Sequence, residues 1–223
     1  TLPESLISAD NALGGAQELE KVTFAEGSGS VPTGLLRRYT VSDPGSNVSE
    51  VILPESVTEI GNSAFYNCDF LTEIKLPGEL EKIGNNAFYG CDGLGKIEVP
   101  GTVTAIENNA FEACANLKSV VLNADGAGAD LVLGFSAFEG CVSLTEITIP
   151  ANVTEVGNFM FEGAVNLKTV TIEDGVETIG REFLKNTAVT EITLPESLIS
   201  ADNALGGAQE LEKVTFAEGS GSV

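Results

Sequence analysis

Histidine and tryptophan are both absent from the 223-residue chain, and methionine occurs only once. The lack of histidine excludes general acid or base catalysis by an imidazole and removes the commonest metal ligand. Basic residues are scarce, with 11 Lys and Arg against 33 Asp and Glu, which gives a formal net charge of −22. A surface of this charge repels phosphate backbones and anionic lipids, so we expect no nucleic acid and no membrane surface as partner.

Long hydrophobic runs are missing as well. No uninterrupted apolar stretch in the chain approaches the roughly 18–20 residues that cross a bilayer, so we expect no membrane insertion. No signal peptide is visible, the chain opens at Thr1, and the single methionine is Met160. We therefore expect the chain to be a processed or excised part of a longer protein.

What the chain does contain is an internal repeat. Segments of 23 residues begin at Val48, Leu71, Leu94 and Leu144, and a 27-residue segment that begins at Leu117 carries a short insertion at 123–130. Degenerate copies begin at Leu167, Val189 and Leu211. One column of the repeat, called here the phenylalanine ladder, holds Phe65, Phe88, Phe111, Phe138 and Phe161. The repeat predicts a single solenoid domain over residues 1–223, with on the order of eight units.

A longer repetition lies at the two ends of the sequence. Residues 1–31 recur unchanged as residues 193–223, which indicates recent or engineered duplication. We interpret the parent protein as a longer array of near-identical blocks, whose uncapped ends favour end-to-end self-association. Residues 27–47 interrupt the pattern as an irregular insertion. Its centre is nevertheless expected to pack, because it contains Leu35, Leu36, Tyr39 and Val41.

Each repeat carries signals for two strands and a turn. Residues 71–77 alternate apolar and polar residues, which is typical of a strand with one buried face, and Pro77 ends that strand. A second short strand is predicted at 80–83, and one short helical turn at 85–88. Stacking such units buries an apolar edge that one unit cannot bury alone. The predicted fold is therefore an α/β repeat solenoid with a parallel sheet on one face and short second strands and helical turns on the other.

The repeat resembles a known family. Residues 71–93 follow the pattern L-x-x-I-x-L-P-x-x-x-x-x-I-G-x-x-A-F-x-x-C-x-x throughout, which is similar to the BspA-type leucine-rich repeats of bacterial surface proteins. The resemblance covers 48–216 and 1–24, with departures at Glu107, Met160, Ala164, Leu184 and Thr187. It implies a right-handed superhelix, secretion or cell-surface display, and often a role as an adhesin for host proteins or other bacteria. It does not identify a ligand.

The four cysteines share one column, three residues after the ladder phenylalanine: Cys68, Cys91, Cys114 and Cys141. We interpret them as buried free thiols that act as small apolar residues of the core. The alternative is a Cys68–Cys91 disulfide, since neighbouring coils lie within the distance range for such a bond. No C-x-x-C pair and no histidine accompany them, so we expect no metal site and no cofactor.

Signals for catalysis are weak. Carboxylates are abundant, but each one that can be placed lies in a variable column of the repeat, so no catalytic pair stands out and the chain is not expected to be an enzyme. The glycine-rich residues 27–30 lack the Gly-Lys-Ser/Thr of a phosphate-binding loop. Residues 123–130 contain two acids but not the ligand spacing of an EF-hand, so a plain loop is favoured over a Ca²⁺ loop.

Two surfaces are candidates for binding a partner. The first is the outward column of the first strands, where charges occupy one end and threonines the other: Glu73, Lys75, Lys96, Glu98, Thr148, Thr171 and Thr193. The alternative is a solvated face with threonine present for its strand propensity. The second candidate is an edge where Tyr66 and Tyr89 follow the ladder in adjacent units. Partial burial against neighbouring turns is the alternative there.

These observations lead to two functional hypotheses. The first is an extracellular protein-interaction or adhesion module of a bacterial surface or secreted protein. It would bind a host or bacterial surface protein through the sheet face or an edge. The second is a structural spacer that has no ligand and whose length is set by block duplication.

Overall fold

The structure is a computed structural model that describes residues 1–2, 12–13, 15–38, 47–124 and 130–217. The chain winds as stacked coils, and most coils contribute a first strand and a second strand. The first strands are β1 (Lys21–Thr23), β3 (Glu50–Ile52), β5 (Glu73–Ile74), β7 (Lys96–Val99), β9 (Ser119–Leu122), β11 (Glu146–Ile149), β13 (Thr169–Ile172), β15 (Glu191–Leu194) and β16 (Lys213–Phe216). The second strands are β2 (Ser30–Val31), β4 (Glu59–Ile60), β6 (Lys82–Ile83), β8 (Ala105–Ile106), β10 (Leu131–Leu133), β12 (Val153–Val156) and β14 (Thr178–Ile179).

All strand pairs are parallel, and each strand pairs with its counterpart in the neighbouring coil. The second strands form one continuous seven-stranded sheet in the order β14-β12-β10-β8-β6-β4-β2. The first strands instead divide into four groups, β1-β3-β5, β7-β9, β11-β13 and β15-β16. The sequence predicted that the first strands form the main sheet. In the structure the second strands form the continuous sheet, and the sheet of the first strands is interrupted.

The alternation of the first strands places their apolar residues in the core. In β11 and β13, Ile147 stands opposite Val170 in register, and both side chains are buried. Thr148 and Thr171, one position further along, are paired in the same register and are exposed. Successive side chains of a strand point to opposite faces, so one face of each first strand lines the interior and the other meets solvent.

The phenylalanine ladder occupies the centre of the stack. All five rings are fully buried, and successive rings are stacked on one another. The centroid distances along the ladder are 5.1 Å for Phe65–Phe88, 5.0 Å for Phe88–Phe111, 5.3 Å for Phe111–Phe138 and 6.0 Å for Phe138–Phe161. The spacing is close to the strand spacing of about 4.8 Å. Stacking one coil on the next therefore also stacks the rings.

The predicted short helical turns are wrong, because none of the described ranges contains a helix. Residues 85–88 form part of a series of tight turns. Asn86 has a φ of 54° and Gly90 a φ of 65°, so the backbone enters the left-handed region every fourth residue. L-residues rarely adopt that conformation, and it interrupts an α-helical path. No helix able to cross a membrane occurs in these ranges either.

The turns bond each coil to the next. Alternate N–H groups of a coil donate to carbonyls of the following coil, and the N–H groups between them close turns within the coil. In one coil the donors and acceptors are Asn86 to Asn108 at 3.0 Å, Phe88 to Ala110 at 2.8 Å and Gly90 to Glu112 at 2.8 Å. In an α-helical turn these N–H groups would instead donate to carbonyls of the same segment. The coils are thus hydrogen-bonded along the turns as well as along both series of strands.

The glycine column before the ladder permits close packing of neighbouring coils. A Cβ on Gly84 would lie 2.6 Å from the Asn62 side chain and 2.9 Å from the Ile60 carbonyl oxygen. These separations are shorter than van der Waals contact, so a larger residue there would separate the coils.

Part of the predicted insertion at 27–47 follows the regular pattern of a coil. Residues 30–31 form β2, and Leu36 donates its N–H to the Ala64 carbonyl at 2.8 Å, as the turns of other coils do. Leu35 and Leu36 are fully buried. Tyr39 and Val41 lie outside the described residues, as do positions 125–129 of the short insertion at 123–130.

Candidate functional site

Open grooves lie on the exposed side of the first strands, which we call the first-strand face. Three of them coincide with a break in the first-strand sheet, between β5 and β7, between β9 and β11, and between β13 and β15. Their volumes are about 450, 390 and 670 Å³ respectively. A further groove of about 490 Å³ lies over β3 and β5, which are paired with each other. The sequence did not predict these breaks.

The groove between β5 and β7 brings together the four charged residues that the sequence predicted as binding candidates. Glu73, Lys75, Lys96 and Glu98 all line it, with Ile74 and Leu76 among the apolar residues of its wall. The four charged side chains are exposed. Ile74 and Leu76 are buried in the core, so the groove presents mainly charges of both signs to a partner.

Both lysines of this groove already have partners within the chain. Lys96 forms an ion pair with Glu98 of its own strand. The Lys75 ammonium lies 3.5 Å from the Glu55 carboxylate, whose other oxygen accepts the N–H of Gly78 at 2.7 Å. That backbone hydrogen bond is the main cause of a lowered pKa of Glu55. Exposed ion pairs of this kind stabilise little and exchange easily for pairs with a partner.

The predicted threonines line the other two grooves. Thr148 and Thr171 lie along the groove between β9 and β11, and Thr171 and Thr193 lie along the groove between β13 and β15. Thr193 stands opposite Thr215 in register. Every predicted residue of the first-strand face therefore lines one of the three grooves.

The tyrosine edge is a second surface on another side of the coils. The rings of Tyr66 and Tyr89 are stacked with centroids 4.6 Å apart and planes inclined by 5°. The Arg37 guanidinium lies over the Tyr66 ring at 5.6 Å, within the range of a cation–π interaction. Both tyrosines are half-buried, and burial raises the pKa of the Tyr89 hydroxyl. Phe70, in the same coil as Tyr66, has 52% of its surface exposed.

The four cysteines are free thiols buried in the core. Each thiol donates to a carbonyl of the preceding coil, and three of these carbonyls belong to ladder phenylalanines. The Cys91 Sγ lies 3.0 Å from the Phe65 oxygen, and the Cys114 Sγ lies 3.0 Å from the Phe88 oxygen. Burial raises the pKa of the Cys114 thiol to about 12, so the reactive thiolate is disfavoured. The column thus contributes hydrogen bonds between coils as well as packing.

Sequence reasoning missed several features of the surface. Phe135, which is 53% exposed, stands in the column that holds Asn62, Asn85, Asn108 and Asn158 in four other coils. That replacement was visible in the aligned repeats.

Lys82, in the second-strand sheet, lies 3.4 Å from the Glu59 carboxylate and 3.0 Å from that of Glu107. The hydrogen bond to Glu107 is the main cause of a raised pKa of Lys82.

Within the described ranges, no group of three or more Cys, Asp or Glu side chains is placed to hold a metal ion.

Parallel strands stacked coil upon coil, with a ladder of buried rings and one conserved turn per repeat, define a leucine-rich-repeat solenoid. The profile of the BspA type leucine rich repeat region matches residues 43–126 and 132–222 in six copies. The chain belongs to the family of BspA-type leucine-rich-repeat proteins. Proteins of this kind are generally protein-interaction modules of bacterial surface type.

Solved structures show the same fold. A leucine-rich repeat protein from Bacteroides ovatus ATCC 8483 matches with a TM-score of 0.73 and 22% identity, over 95% of this chain and 64% of that one. The T. pallidum leucine rich repeat protein matches with a TM-score of 0.51 and 21% identity, over 80% of this chain and 68% of that one. The chain thus spans less than two thirds of the Bacteroides ovatus protein. No curated protein sequence matches it.

Proposed function

We propose that the chain is an extracellular protein-interaction module of a bacterial surface or secreted protein, with a role in adhesion. Its partner would be a host or bacterial surface protein. A binding role, and not a catalytic one, fits a family of repeat proteins that generally bind other proteins. We further propose that residues 1–223 form one solenoid domain and that its coils wind right-handed, as crossovers between parallel strands do.

The observation that supports this proposal is the match between the grooves and the candidate residues. The grooves lie side by side on one face, and exposed polar side chains line all three. In the groove between β5 and β7, a partner segment would take over the ion pairs of Lys75 and Lys96. Complementary charges across an interface contribute strongly to specificity.

The test is a charge-matched pair of triple variants. Glu73→Ala, Lys75→Ala and Lys96→Ala together change the groove between β5 and β7. Glu155→Ala, Arg181→Ala and Lys185→Ala together remove the same charges elsewhere on the surface. Each protein is immobilised and titrated with a panel of purified extracellular matrix proteins and with intact bacterial cells. We expect the groove variant to bind at least tenfold more weakly, equivalent to about 1.4 kcal/mol, and the control variant to bind as the parent does.

Two results would contradict the proposal. An equal loss in both triple variants would mean that binding follows overall charge and not the groove. Absence of binding by the parent to every member of the panel would favour the spacer, which the identical segments 1–31 and 193–223 also support. The double variant Tyr66→Ala, Tyr89→Ala measures how much of the binding that the groove variant retains depends on the tyrosine edge.

A further inference from the structure

The side chains that oxidants attack most readily are absent from this chain or buried in it, with the exception of tyrosine. The sequence has no tryptophan and no histidine. Met160 and the four cysteines are buried in the core. Burial also raises the pKa of each thiol, so the thiolate, which is the form that oxidants attack, is disfavoured. Of the three tyrosines, Tyr39 lies outside the described residues, and Tyr66 and Tyr89 are partly exposed.

Tyr66 and Tyr89 are held face to face by the stacking of their coils. They occupy the same position in adjacent repeats, and their ring centroids are 4.6 Å apart with planes inclined by 5°. Hydrogen bonds between the two coils flank the pair, from the Phe65 N–H to the Ala87 carbonyl at 2.8 Å and from the Asn67 N–H to the Tyr89 carbonyl at 2.7 Å. The backbone therefore keeps the two rings one coil spacing apart.

The hydroxyl groups of the pair lie close enough to influence each other. Burial is the main cause of the raised pKa of the Tyr89 hydroxyl, and negative charge on Glu112, Tyr66 and Glu139 raises it further. The two phenols thus share one small region of the surface, with carboxylates beside it. A carboxylate near a phenol can accept the proton that the phenol loses when it is oxidised.

We propose that Tyr66 and Tyr89 are a site of oxidative cross-linking, at which a one-electron oxidant such as a peroxidase with hydrogen peroxide joins the two rings by a carbon–carbon bond. The product is a dityrosine that ties one coil covalently to the next. This inference concerns a covalent modification, goes beyond the proposed function, and does not depend on it.

The reaction consists of two one-electron oxidations followed by coupling. Each phenol loses one electron and its hydroxyl proton and becomes a phenoxyl radical, whose unpaired electron is shared with the Cε atoms beside the oxygen. The two unpaired electrons form a bond between one Cε of each ring. The hydrogen on each of these carbons then leaves as a proton, and a proton returns to each oxygen, which restores both aromatic rings. One molecule of hydrogen peroxide takes up the two electrons and two protons and becomes two molecules of water.

The geometry favours a bond within one molecule over a bond between molecules. A ring held 4.6 Å from its partner meets it at an effective concentration far above that of any second protein molecule. Repulsion between two chains of net charge −22 also slows their encounter. The new bond links positions one repeat apart, so it restricts the unfolded chain as a disulfide does and keeps the two coils together.

The test uses the variant Tyr39→Phe, which leaves Tyr66 and Tyr89 as the only tyrosines of the chain. Equal amounts of isotope-labelled and unlabelled protein are mixed and treated with a peroxidase and hydrogen peroxide. We expect dityrosine fluorescence, and after trypsin digestion a peptide 39–75 joined to a peptide 83–96, lighter than their sum by two hydrogen atoms. Each linked pair should be wholly labelled or wholly unlabelled, and the yield should not change when the protein is diluted tenfold.

Two controls in the Tyr39→Phe variant separate proximity from simple reactivity. Tyr89→Phe combined with Phe135→Tyr keeps two exposed tyrosines but places them in coils that are not neighbours. This control should give at least tenfold less of the bond within one molecule. Tyr89→Phe alone should give bonds between molecules only. N-acetyltyrosine added to a parallel sample shows by its own coupling that the oxidant is active.

Three results would overturn the inference. Linked peptides that combine labelled and unlabelled chains at random would mean that the bond forms between molecules. Equal yields from the adjacent and the separated tyrosine pairs would mean that the stack has no part in the reaction. Absence of a bond between positions 66 and 89, although N-acetyltyrosine couples, would show that the pair does not react.

Discussion

At the scale of single residues, the phenylalanine ladder carries much of the core. Each ring is fully buried, and the three inner rings, Phe88, Phe111 and Phe138, are stacked on a ring in the coil before and on one in the coil after. A residue of this kind cannot be shortened without leaving a cavity shared by three coils. The ladder is therefore the position where the sequence repeat and the stability of the stack are most directly linked.

Replacing Phe88 by alanine should lower the free energy of unfolding by about 3–5 kcal/mol, since it removes a large buried ring and leaves a cavity. Urea denaturation followed by circular dichroism measures the change. Phe70→Ala is the matched control, because Phe70 is half exposed and its removal leaves no cavity in the core. Similar losses for the two variants would argue against a special role of the ladder.

Glu112 gives a prediction about pH. Burial raises the pKa of this carboxyl, Glu139 raises it further, and a hydrogen bond from Asn109 acts in the opposite direction. The folded state therefore holds the proton to a higher pH than the unfolded state does, so the ionised carboxylate destabilises the fold at neutral pH. That destabilisation is lost as the pH falls through the raised pKa towards the ordinary value for glutamate.

Glu112→Gln removes the charge but can still accept the hydrogen bond from Asn109. We expect the variant to be more stable than the parent at pH 7, by an amount that shrinks as the pH falls to about 4. Thermal unfolding across that pH range measures the difference. Glu155→Gln, at an exposed position, serves as the control. A difference that does not depend on pH would show that the effect comes from packing and not from titration.

At the scale of elements, the turns distinguish this solenoid from the fold predicted from sequence. One column of the turns adopts positive φ in successive coils, with values between 53° and 60°: Ser63, Asn86, Asn109, Ser136, Phe159, Glu182 and Asn203. Asparagine and glycine tolerate this conformation best, and β-branched residues tolerate it least. The backbone conformation, and not the side chain, is the requirement common to the column.

Asn86→Val should therefore lower the free energy of unfolding by about 1–3 kcal/mol, the typical cost of a strained backbone conformation. Asn86→Gly should leave it almost unchanged, because glycine adopts positive φ without steric cost. Chemical denaturation of both variants compares them directly. Equal destabilisation by valine and glycine would mean that the asparagine side chain matters and the left-handed backbone does not.

The strands and the core follow from the sequence, and the turns follow only in part. Period-two alternation such as that of residues 71–77 marks the first strands, and the spacing of Phe65, Phe88 and Phe111 marks the core. The run at 85–88 contains ordinary helix-compatible residues, so a local prediction favours one helical turn. Whether its N–H groups bond within the segment or to the next coil depends on the neighbouring carbonyls, which the segment itself does not specify.

The candidate site was predictable as a list of side chains but not as a shape. Alternation identifies Glu73, Lys75, Lys96 and Glu98 as outward residues, because a strand places every second side chain on the same face. The breaks in the sheet at three of the grooves occur between strands of similar pattern, such as β5 and β7. The pattern of one repeat specifies which side chains face outward, but it does not specify whether the first strand pairs with that of the next coil.

At the scale of the whole molecule, almost every stabilising contact links a coil to its immediate neighbours. The two series of strands, the turns, the ring stacks and the thiol hydrogen bonds all join one coil to the next. Stability in such an array is close to a sum over coils and their interfaces.

The alternate donation of N–H groups along the turns has a consequence for how such proteins change in length. Each coil presents to its predecessor the same row of acceptors that it uses itself in its successor. Deleting or inserting 23 residues in frame therefore leaves every remaining donor opposite a suitable oxygen. A shorter change inside a strand or a turn would move donors away from their acceptors. A change in a loop does not, because across the 27-residue unit Phe111 still donates its N–H to the Ala137 carbonyl at 2.9 Å.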